Sequence, residues 1–435
     1  MPSSTDELAV FVSALNDGVL PSTICELVSQ HVLDVIAGIY AGTRIVEAIS
    51  VAALAANDDA ALCGKLAMLS HAAESDPIHA GTTICAGLIT VPPALIFSPD
   101  GATAIAAVIA GYETAIRLGE ALGSSRLLGR GWWPTAVLGG AGAAATTSRA
   151  LGLRADQTRH AISLALVQAG GIGTGAPDAP ESRNLLAANT IRIGVEAAHA
   201  AAAGVEGPPD PLTGDRGFLN AFGLEPDPGR LLRALGVDWK IAETSLKVFP
   251  CALQAQSALT ALRDAIATND LSTAEIDAVQ FGLPEAMHRI VHRPGRPGSR
   301  FAAAADLRFL AAAFLCDGDI LPARLDDDAR VSADIVSLMD KISVTHDPEL
   351  DRAFPAAWPA WIRISTAAGT FWSETLNPPG HPDRPIDISA TIERFRAYSG
   401  AELDPAAQNA TIDLVQGLAA LKDMTTLTEP LRALL

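Results

Sequence analysis

The sequence predicts a mostly helical protein that carries a mixed α+β segment in its second half, and three observations lead to this fold class. Apolar residues recur at helical spacing through the first half, as in the stretch 30–47. Near residue 270 they begin to alternate with other residues, which is typical of a half-buried strand, at Val279, Phe281 and Leu283. After Asp387 the helical pattern returns. A long helical part and a smaller α+β part are therefore expected.

The first half reads as helix after helix. The stretch 103–120 is apolar nearly all round, which indicates a buried helix. The stretch 135–150 is dense in Gly and Ala, and small side chains let neighbouring helices approach closely. A further Ala-rich helix is expected over about 187–204, ending at a Pro/Gly loop over 207–210.

The second half mixes both patterns. Helical segments are expected over about 252–267 and 301–316, and a strand is expected around 342–344. The stretch 362–372 contains two apolar runs separated by Ala-Gly, which predicts a hairpin. We interpret 246–390 as an α+β region.

Composition excludes several classes of protein. The chain has 435 residues, of which 49% are hydrophobic and 18% are charged, so it is neither a disordered chain nor a small disulfide scaffold. With 31 basic and 49 acidic residues the net charge is −18, which disfavours nucleic acid as a partner. We find no apolar stretch typical of a membrane span and no cationic leader, so no membrane association is expected. Five scattered cysteines without a Cys-x-x-Cys pair indicate a reduced, cytoplasmic chain without a metal framework.

Standard cofactor motifs are not found in the sequence. There is no Gly-x-Gly-x-x-Gly after a strand, no phosphate-binding Walker loop, no His-Glu-x-x-His and no Gly-x-Ser-x-Gly. The Gly-rich stretch 139–142 lies within a helical pattern and is more typical of helix packing than of a phosphate site.

Three local clusters are candidates for chemistry. The first is 74–87, where acids, an imidazole and a thiol share a turn-rich stretch that could carry out proton transfer; a solvated loop is the alternative. The second is 130–135, whose adjacent Trp132 and Trp133 would form either a pocket wall or part of the core. The third is Lys247, in an apolar segment, which would bind a substrate carboxylate or extend to the surface.

Taken together, these segments resemble the 2-methylcitrate dehydratase (MmgE/PrpD) family, which includes cis-aconitate decarboxylase. The resemblance rests on the order and spacing of short motifs along nearly the whole chain: 33–38, Gly111-Tyr112-Glu113, 130–135, 214–218, 247–251 and 380–385.

The resemblance implies an all-helical domain formed by both chain ends, 1–245 and 390–435, with an inserted α+β lid over 246–389. It also implies a homodimer, a small-molecule substrate and a site between helical domain and lid that needs no cofactor and no metal. Family members remove water or carbon dioxide from small polycarboxylates, chemistry that requires a proton carrier next to a carboxylate and cations that hold the charge.

The family pattern is altered at several site positions. The Asp-x-Asp-Asp-Thr stretch is represented by 74–78, which retains Glu74 and Asp76 as acids. Two family histidines correspond to Cys85 and Trp133, and a third corresponds to Gln256. Arg183 stands where the family has a Lys, and Phe309 stands where it has a Tyr. The family Lys at position 247 is retained as Lys247.

These replacements predict a changed substrate. Trp133 cannot exchange a proton at neutral pH, Phe309 has lost the phenol, and Arg183 can hold a carboxylate but cannot act as a base. The pocket becomes more apolar, which favours a substrate with one carboxylate or an enolisable ketone over a polycarboxylate.

The leading hypothesis is a divergent lyase that acts by α-proton transfer and elimination. Lys247, His79, Asp76 and Cys85 are the predicted catalytic residues. Substrate contacts are predicted for Arg183, Trp133, Gln256, Phe309 and Glu74. An isomerase or cyclase on the same scaffold, or an inactive ligand-binding homologue, is the alternative.

Overall fold

A computed structural model describes residues 3–45, 58–173, 180–223, 225–326 and 332–434. Contacts between Cα atoms divide the chain into two compact units. The first, the helical unit, contains residues 181–245 and 387–435 together with the N-terminal part of the chain. The second unit contains residues 246–386, and its role as a lid stays a prediction.

The helices and strands follow one another in chain order. The N-terminal helices are α1 (Ser4–Ala14), α2 (Ser22–Gly42), α3 (Asp59–Ala72), α4 (Ala86–Phe97), α5 (Gly101–Leu122), α6 (Pro134–Ala150), α7 (Ala155–Leu166), α8 (Pro180–Ala202) and α9 (Phe218–Phe222). The elements of the second unit are α10 (Gln256–Asn269), β1 (Ile276–Leu283), α11 (Glu285–Val291), α12 (Arg300–Ala304), α13 (Leu307–Asp317), α14 (Ala333–Met339), β2 (Ile342–His346), β3 (Ala360–Thr366) and β4 (Gly369–Thr375). The C-terminal helices are α15 (Ile388–Ser399), α16 (Pro405–Gln416) and α17 (Thr425–Arg432). The predicted mostly helical class is confirmed.

Helices α5 and α6 pack side by side in the core of the first unit, as the small residues of 135–150 predict. A methyl group added at Gly142 would lie 2.9 Å from the Cβ of Ala115, so the two helices leave no room for a side chain there. Helix α8 approaches α6 just as closely, because a Cβ at Gly194 would lie 2.4 Å from the carbonyl oxygen of Gly140. The Gly/Ala composition therefore permits the close contact between these helices.

We expect Gly194→Ala to destabilise the fold and Gly140→Ala to be tolerated. At Gly194 the new methyl would meet backbone atoms, an overpacking that costs about 1–3 kcal/mol and exceeds the gain of about 1 kcal/mol in helix propensity. At Gly140 the nearest atom would be Ile193 Cγ2 at 3.5 Å, an ordinary contact. Urea unfolding of both variants measures the difference, and equal free energies of unfolding would contradict this packing.

The C-terminal part of the chain packs against α2. Helix α15 lies on α2, where the Gln30 side-chain amide donates to Thr391 Oγ1 at 3.1 Å. Arg394 forms an ion pair with the buried Asp34. Residues from both ends of the sequence therefore build the same helical core.

Helix α2 has the length and mean hydropathy of a membrane-crossing helix, and it is the one helix of this kind among the described residues. In its most apolar window, 78% of the residues are buried inside the fold, as in a core helix.

A buried histidine on α2 makes stability depend on pH. His31 Nδ1 and the Tyr112 hydroxyl oxygen form a hydrogen bond of 2.8 Å. Burial, helped by the charge of Arg394, lowers the pKa of His31 from 6.5 to about 3. Because the folded pKa lies below the unfolded one, the stabilisation is fully present above pH 6.5 and is lost as pH falls from 6.5 towards 3.

We expect His31→Asn to reduce this loss. Between those pH values, His31 contributes a slope of about 1.4 kcal/mol per pH unit to the free energy of unfolding. Urea unfolding at pH 7 and pH 4.5 should show a smaller pH effect for the variant than for the wild-type chain. Identical slopes would mean that His31 titrates normally in the fold.

The second unit contains a four-stranded sheet in the order β2-β1-β3-β4. Strands β1 and β2 are parallel, whereas β1 pairs with β3 and β3 with β4 in antiparallel fashion. The alternation seen in the sequence is that of the buried face, since Val279, Phe281, Ile362 and Ile364 are all fully or almost fully buried. The predicted strands and the hairpin that joins β3 to β4 are confirmed, and α10 packs against those two strands.

Candidate active site

The loop between α3 and α4, residues 73–85, brings the acidic residues and the thiol of the first cluster into the helical unit. Two of its residues, Glu74 (φ 58°) and Thr83 (φ 57°), adopt the left-handed backbone conformation. Side chains disfavour this conformation by about 1–2 kcal/mol, and such strain is often found at functional sites. The loop is fixed by an antiparallel bridge between Ile78 and Ser245 and by a hydrogen bond from His79 N to Ile84 O of 2.9 Å. The backbone held in this way places Asp76 against the last turn of α3, within hydrogen-bond distance of His71.

Asp76 meets His71, a residue in the last turn of α3 for which the sequence suggested no role. The distance from His71 Nδ1 to Asp76 Oδ2 is 2.6 Å, and both side chains are fully buried. A carboxylate only accepts hydrogen bonds, so Nδ1 carries a proton, and in the neutral imidazole Nε2 then presents its lone pair. Nε2 is buried and has no hydrogen-bond partner among the described residues. An oriented imidazole with an available nitrogen lone pair is suited to general-base chemistry.

Trp133 links this imidazole to an ion pair. Its indole ring stacks on His71 with the ring centroids 5.1 Å apart and an interplanar angle of 29°. The guanidinium carbon of Arg183, on α8, lies 5.3 Å from the Trp133 ring centroid. Arg183 Nη1 in turn lies 2.5 Å from Glu74 Oε1. Three of the residues predicted to contact substrate, Glu74, Arg183 and Trp133, are therefore neighbours of the His71–Asp76 pair.

Cys85 completes the cluster. It precedes the first turn of α4, and its backbone N–H donates to Thr135 Oγ1 at 3.1 Å. Its sulfur lies within 4.8 Å of a ring nitrogen of His71 and of a carboxylate oxygen of Asp76. A thiol, an imidazole and a carboxylate thus share one buried position.

His79 belongs to a different group of charged side chains. Its Nδ1 accepts from the Thr82 N–H at 3.2 Å, so Nε2 carries the proton and faces Glu243 Oε2 at 3.6 Å. Glu243 also binds Lys240 Nζ at 3.0 Å. Partial burial raises the pKa of Glu243, but hydrogen bonds from His79 and Lys240 outweigh it and hold the pKa at about 2. His79 lines a polar cleft of about 360 Å³ that also includes Glu120.

Two residue sets within the described parts of the chain have the donor types of a metal site, but their contacts do not favour a bound metal. In the set of His71, Asp76 and Cys85, a hydrogen bond already joins the imidazole and the carboxylate. In the set of His79, Glu120 and Glu243, the ammonium group of Lys240 binds both carboxylates. The absence of a catalytic metal stays a prediction.

The three remaining predicted site residues lie in the second unit. Lys247 is 4% exposed. Gln256 Oε1 accepts from the backbone N–H groups of Val248 and Phe249, each at 3.1 Å, so its amide holds the segment that follows Lys247. Phe309 is fully buried in α13. The contacts of Gln256 are those of a residue that holds the backbone, and the predicted substrate contacts of Gln256 and Phe309 and the role of Lys247 stay predictions.

Comparison of the sequence with known families shows which family the chain belongs to. The profile of the MmgE/PrpD N-terminal domain matches residues 58–230, and that of the MmgE/PrpD C-terminal domain matches residues 249–420. The chain belongs to the MmgE/PrpD family, as the motifs predicted.

Curated relatives point to a lyase of the dehydratase or decarboxylase type. Cis-aconitate decarboxylase of Aspergillus terreus is 25% identical over 82% of this chain and 78% of its own length. Human cis-aconitate decarboxylase is 26% identical over 81% of this chain and 74% of its own length. A cis-aconitate decarboxylase-like protein of Aspergillus oryzae, oryM, is 26% identical over 75% of this chain and 70% of its own.

Proposed function

We propose that this protein is a divergent lyase that transfers a proton at the α-carbon of a small carboxylate or enolisable carbonyl compound. It would either remove that proton and eliminate water, or release carbon dioxide and return a proton to the α-carbon. Membership of the MmgE/PrpD family supports the lyase class. The observation that carries the proposal is the buried His71–Asp76 pair, whose Nε2 atom is available to accept a proton.

In this mechanism His71 is the base. Asp76 accepts a hydrogen bond from the Nδ1–H group, so the lone pair of Nε2 receives the α-proton of the substrate. The carboxylate then stabilises the imidazolium that forms, and stacking on Trp133 keeps the ring in one plane. General acid–base catalysis of this kind contributes a factor of about 10²–10⁴ to the rate.

The charges around His71 favour a less charged substrate than cis-aconitate. The guanidinium of Arg183 is close to Glu74, which offsets much of its positive charge. Trp133 adds an apolar wall that offers no positive charge to a second carboxylate of a substrate. We therefore propose a substrate with one carboxylate or with an enolisable ketone. Lys247 remains the predicted anion-binding residue of the second unit.

An isomerase or cyclase would use the same enolate, because an enolate forms in each of these reactions, either by loss of the α-proton or by loss of carbon dioxide. The identity of the product distinguishes them from elimination. Homodimer formation, cytoplasmic location and independence of cofactors stay predictions.

The experiment is proton exchange. The purified chain is incubated in D₂O with a panel of small monocarboxylic acids and ketones, and loss of each α-proton signal is followed by ¹H NMR. We expect exchange, with release of water or carbon dioxide, for at least one compound with a single charge or none. Binding without exchange across the panel would instead identify an inactive ligand-binding homologue.

A further inference from the structure

We propose that Cys85 is a nucleophile that adds reversibly to α,β-unsaturated carbonyl compounds, with His71 moving the proton. This inference rests on the proposed function, because elimination next to a carboxylate produces a conjugated double bond. A thiol beside the general base would then face an electrophilic carbon.

The first argument is the composition of the cluster. Thiol, imidazole and carboxylate are the groups of an activated cysteine, in which the carboxylate orients the imidazole and the imidazole removes the thiol proton. Here the Asp76–His71 hydrogen bond is 2.6 Å long, and the sulfur of Cys85 lies within 4.8 Å of both partners. The distance leaves room for a small adjustment when a substrate enters, as is usual in ligand-free sites.

The second argument is independent of the cysteine. His71 Nε2 is fully buried and lacks a hydrogen-bond partner within the described parts of the chain. A buried polar atom without a partner costs about 1–3 kcal/mol, so its retention requires an explanation such as a catalytic role or a bound ligand. A role of Nε2 in taking the proton of the Cys85 thiol and giving it to a substrate carbon would explain why the atom is kept without a partner.

The third argument is the position of Cys85 in the fold. The residue directly precedes the 12-residue helix α4, whose N-terminal end favours negative charge. The end of this helix would therefore stabilise negative charge that develops on the sulfur.

The addition is balanced without any oxidant or reductant. His71 accepts the proton of the thiol, and the sulfur forms a bond to the β-carbon of the unsaturated compound. The electrons of the double bond move to the α-carbon, which receives the proton from the imidazolium. The reverse steps release the cysteine unchanged.

Alkylation by methyl acrylate tests the inference. The full-length chain is treated with this neutral acceptor, and adducts are located by peptide mass spectrometry as a function of time. The exposed Cys316 is an internal reference in every sample. We expect the buried Cys85 to react faster than Cys316, because exposure alone would give the opposite order. Slower labelling of Cys85 than of Cys316 would overturn the proposal.

A variant separates activation from access. His71→Gln keeps the thiol and a side chain of similar polarity, and it should slow labelling of Cys85 by at least about 10-fold while leaving Cys316 unchanged. Equal rates in both proteins, with unchanged melting temperatures, would show that His71 does not activate the thiol. If α-proton exchange occurs but no Cys85 adduct forms, the proposed nucleophilic role of Cys85 is refuted and the proposed lyase function stands. If a Cys85 adduct forms but no substrate shows exchange, the proposed lyase function is refuted and the nucleophilic role stands.

Discussion

Replacing His71 with Gln should lower the rate of α-proton exchange by about 10²–10⁴, the factor that a general base contributes. Gln retains polarity and much of the volume, but its amide cannot accept a proton at neutral pH. The partner Asp76 would keep one donor, because the Gln side chain still offers N–H groups. The expected result is loss of exchange with little change in melting temperature, measured by ¹H NMR in D₂O and by thermal unfolding.

His79→Gln is the matched control. Both histidines are buried, and both have a carboxylate near one ring nitrogen. In His79, however, Nδ1 accepts from Thr82 and Nε2 faces Glu243, so neither nitrogen presents a lone pair. Exchange should therefore persist in His79→Gln. The reverse result, with exchange lost there and retained in His71→Gln, would make His79 the proton carrier.

The sequence was sufficient to predict one half of the proposed proton-transfer pair. Asp76 and Cys85 stand out because acids, an imidazole and a thiol lie within a few residues in a turn-rich stretch. His71 was missed because it lies inside an apolar helical stretch, where a histidine is more often a core residue. The signal that could have found it is its spacing, five residues before Asp76 at the end of α3.

The remainder of the cluster depends on long-range contacts. The left-handed backbone at Glu74 and the bridge from Ile78 to Ser245 fold the loop back, and neither follows from local propensity. The neutralisation of Arg183 by Glu74 joins positions 109 residues apart. A single sequence predicts that Arg183 could bind an anion, but it does not predict that an anionic side chain already lies beside it.

The fold was more predictable than the site, because hydrophobic periodicity reports which face of an element is buried. Alternation at Val279, Phe281 and Leu283 predicted β1, and the Ala-Gly turn predicted the hairpin of β3 and β4. The parallel pairing of β1 with β2 could not be predicted in this way. Four α-helices lie between those strands in the part of the chain that the structure describes, and strand order depends on how such intervening elements pack.

Arg117→Ala should be among the most destabilising single substitutions in the helical unit, at about 3–5 kcal/mol of unfolding free energy. Arg117 and Glu113 are fully buried on α5, with Arg117 Nε 2.6 Å from Glu113 Oε2. The guanidinium also donates to the carbonyl oxygens of Arg233 at 2.6 Å and Asp238 at 2.8 Å. Truncation would leave a buried carboxylate without its counterion and two carbonyl groups without donors.

The pH dependence of the stability of Arg117→Ala tests whether the loss comes from the unpaired carboxylate of Glu113. Burial raises the pKa of Glu113 even when the charge of Arg117 opposes it, so removal of the guanidinium should raise that pKa further. A carboxyl whose folded pKa is raised makes the protein less stable as pH rises, so Arg117→Ala should be less destabilised at pH 5 than at pH 8.

Arg126→Ala is the control, since its ion pair with Glu225 is more than half exposed and should contribute about 0–1 kcal/mol. Urea unfolding at both pH values measures all three proteins, and equal losses for the two variants would mean that the buried pair contributes no more than a surface one.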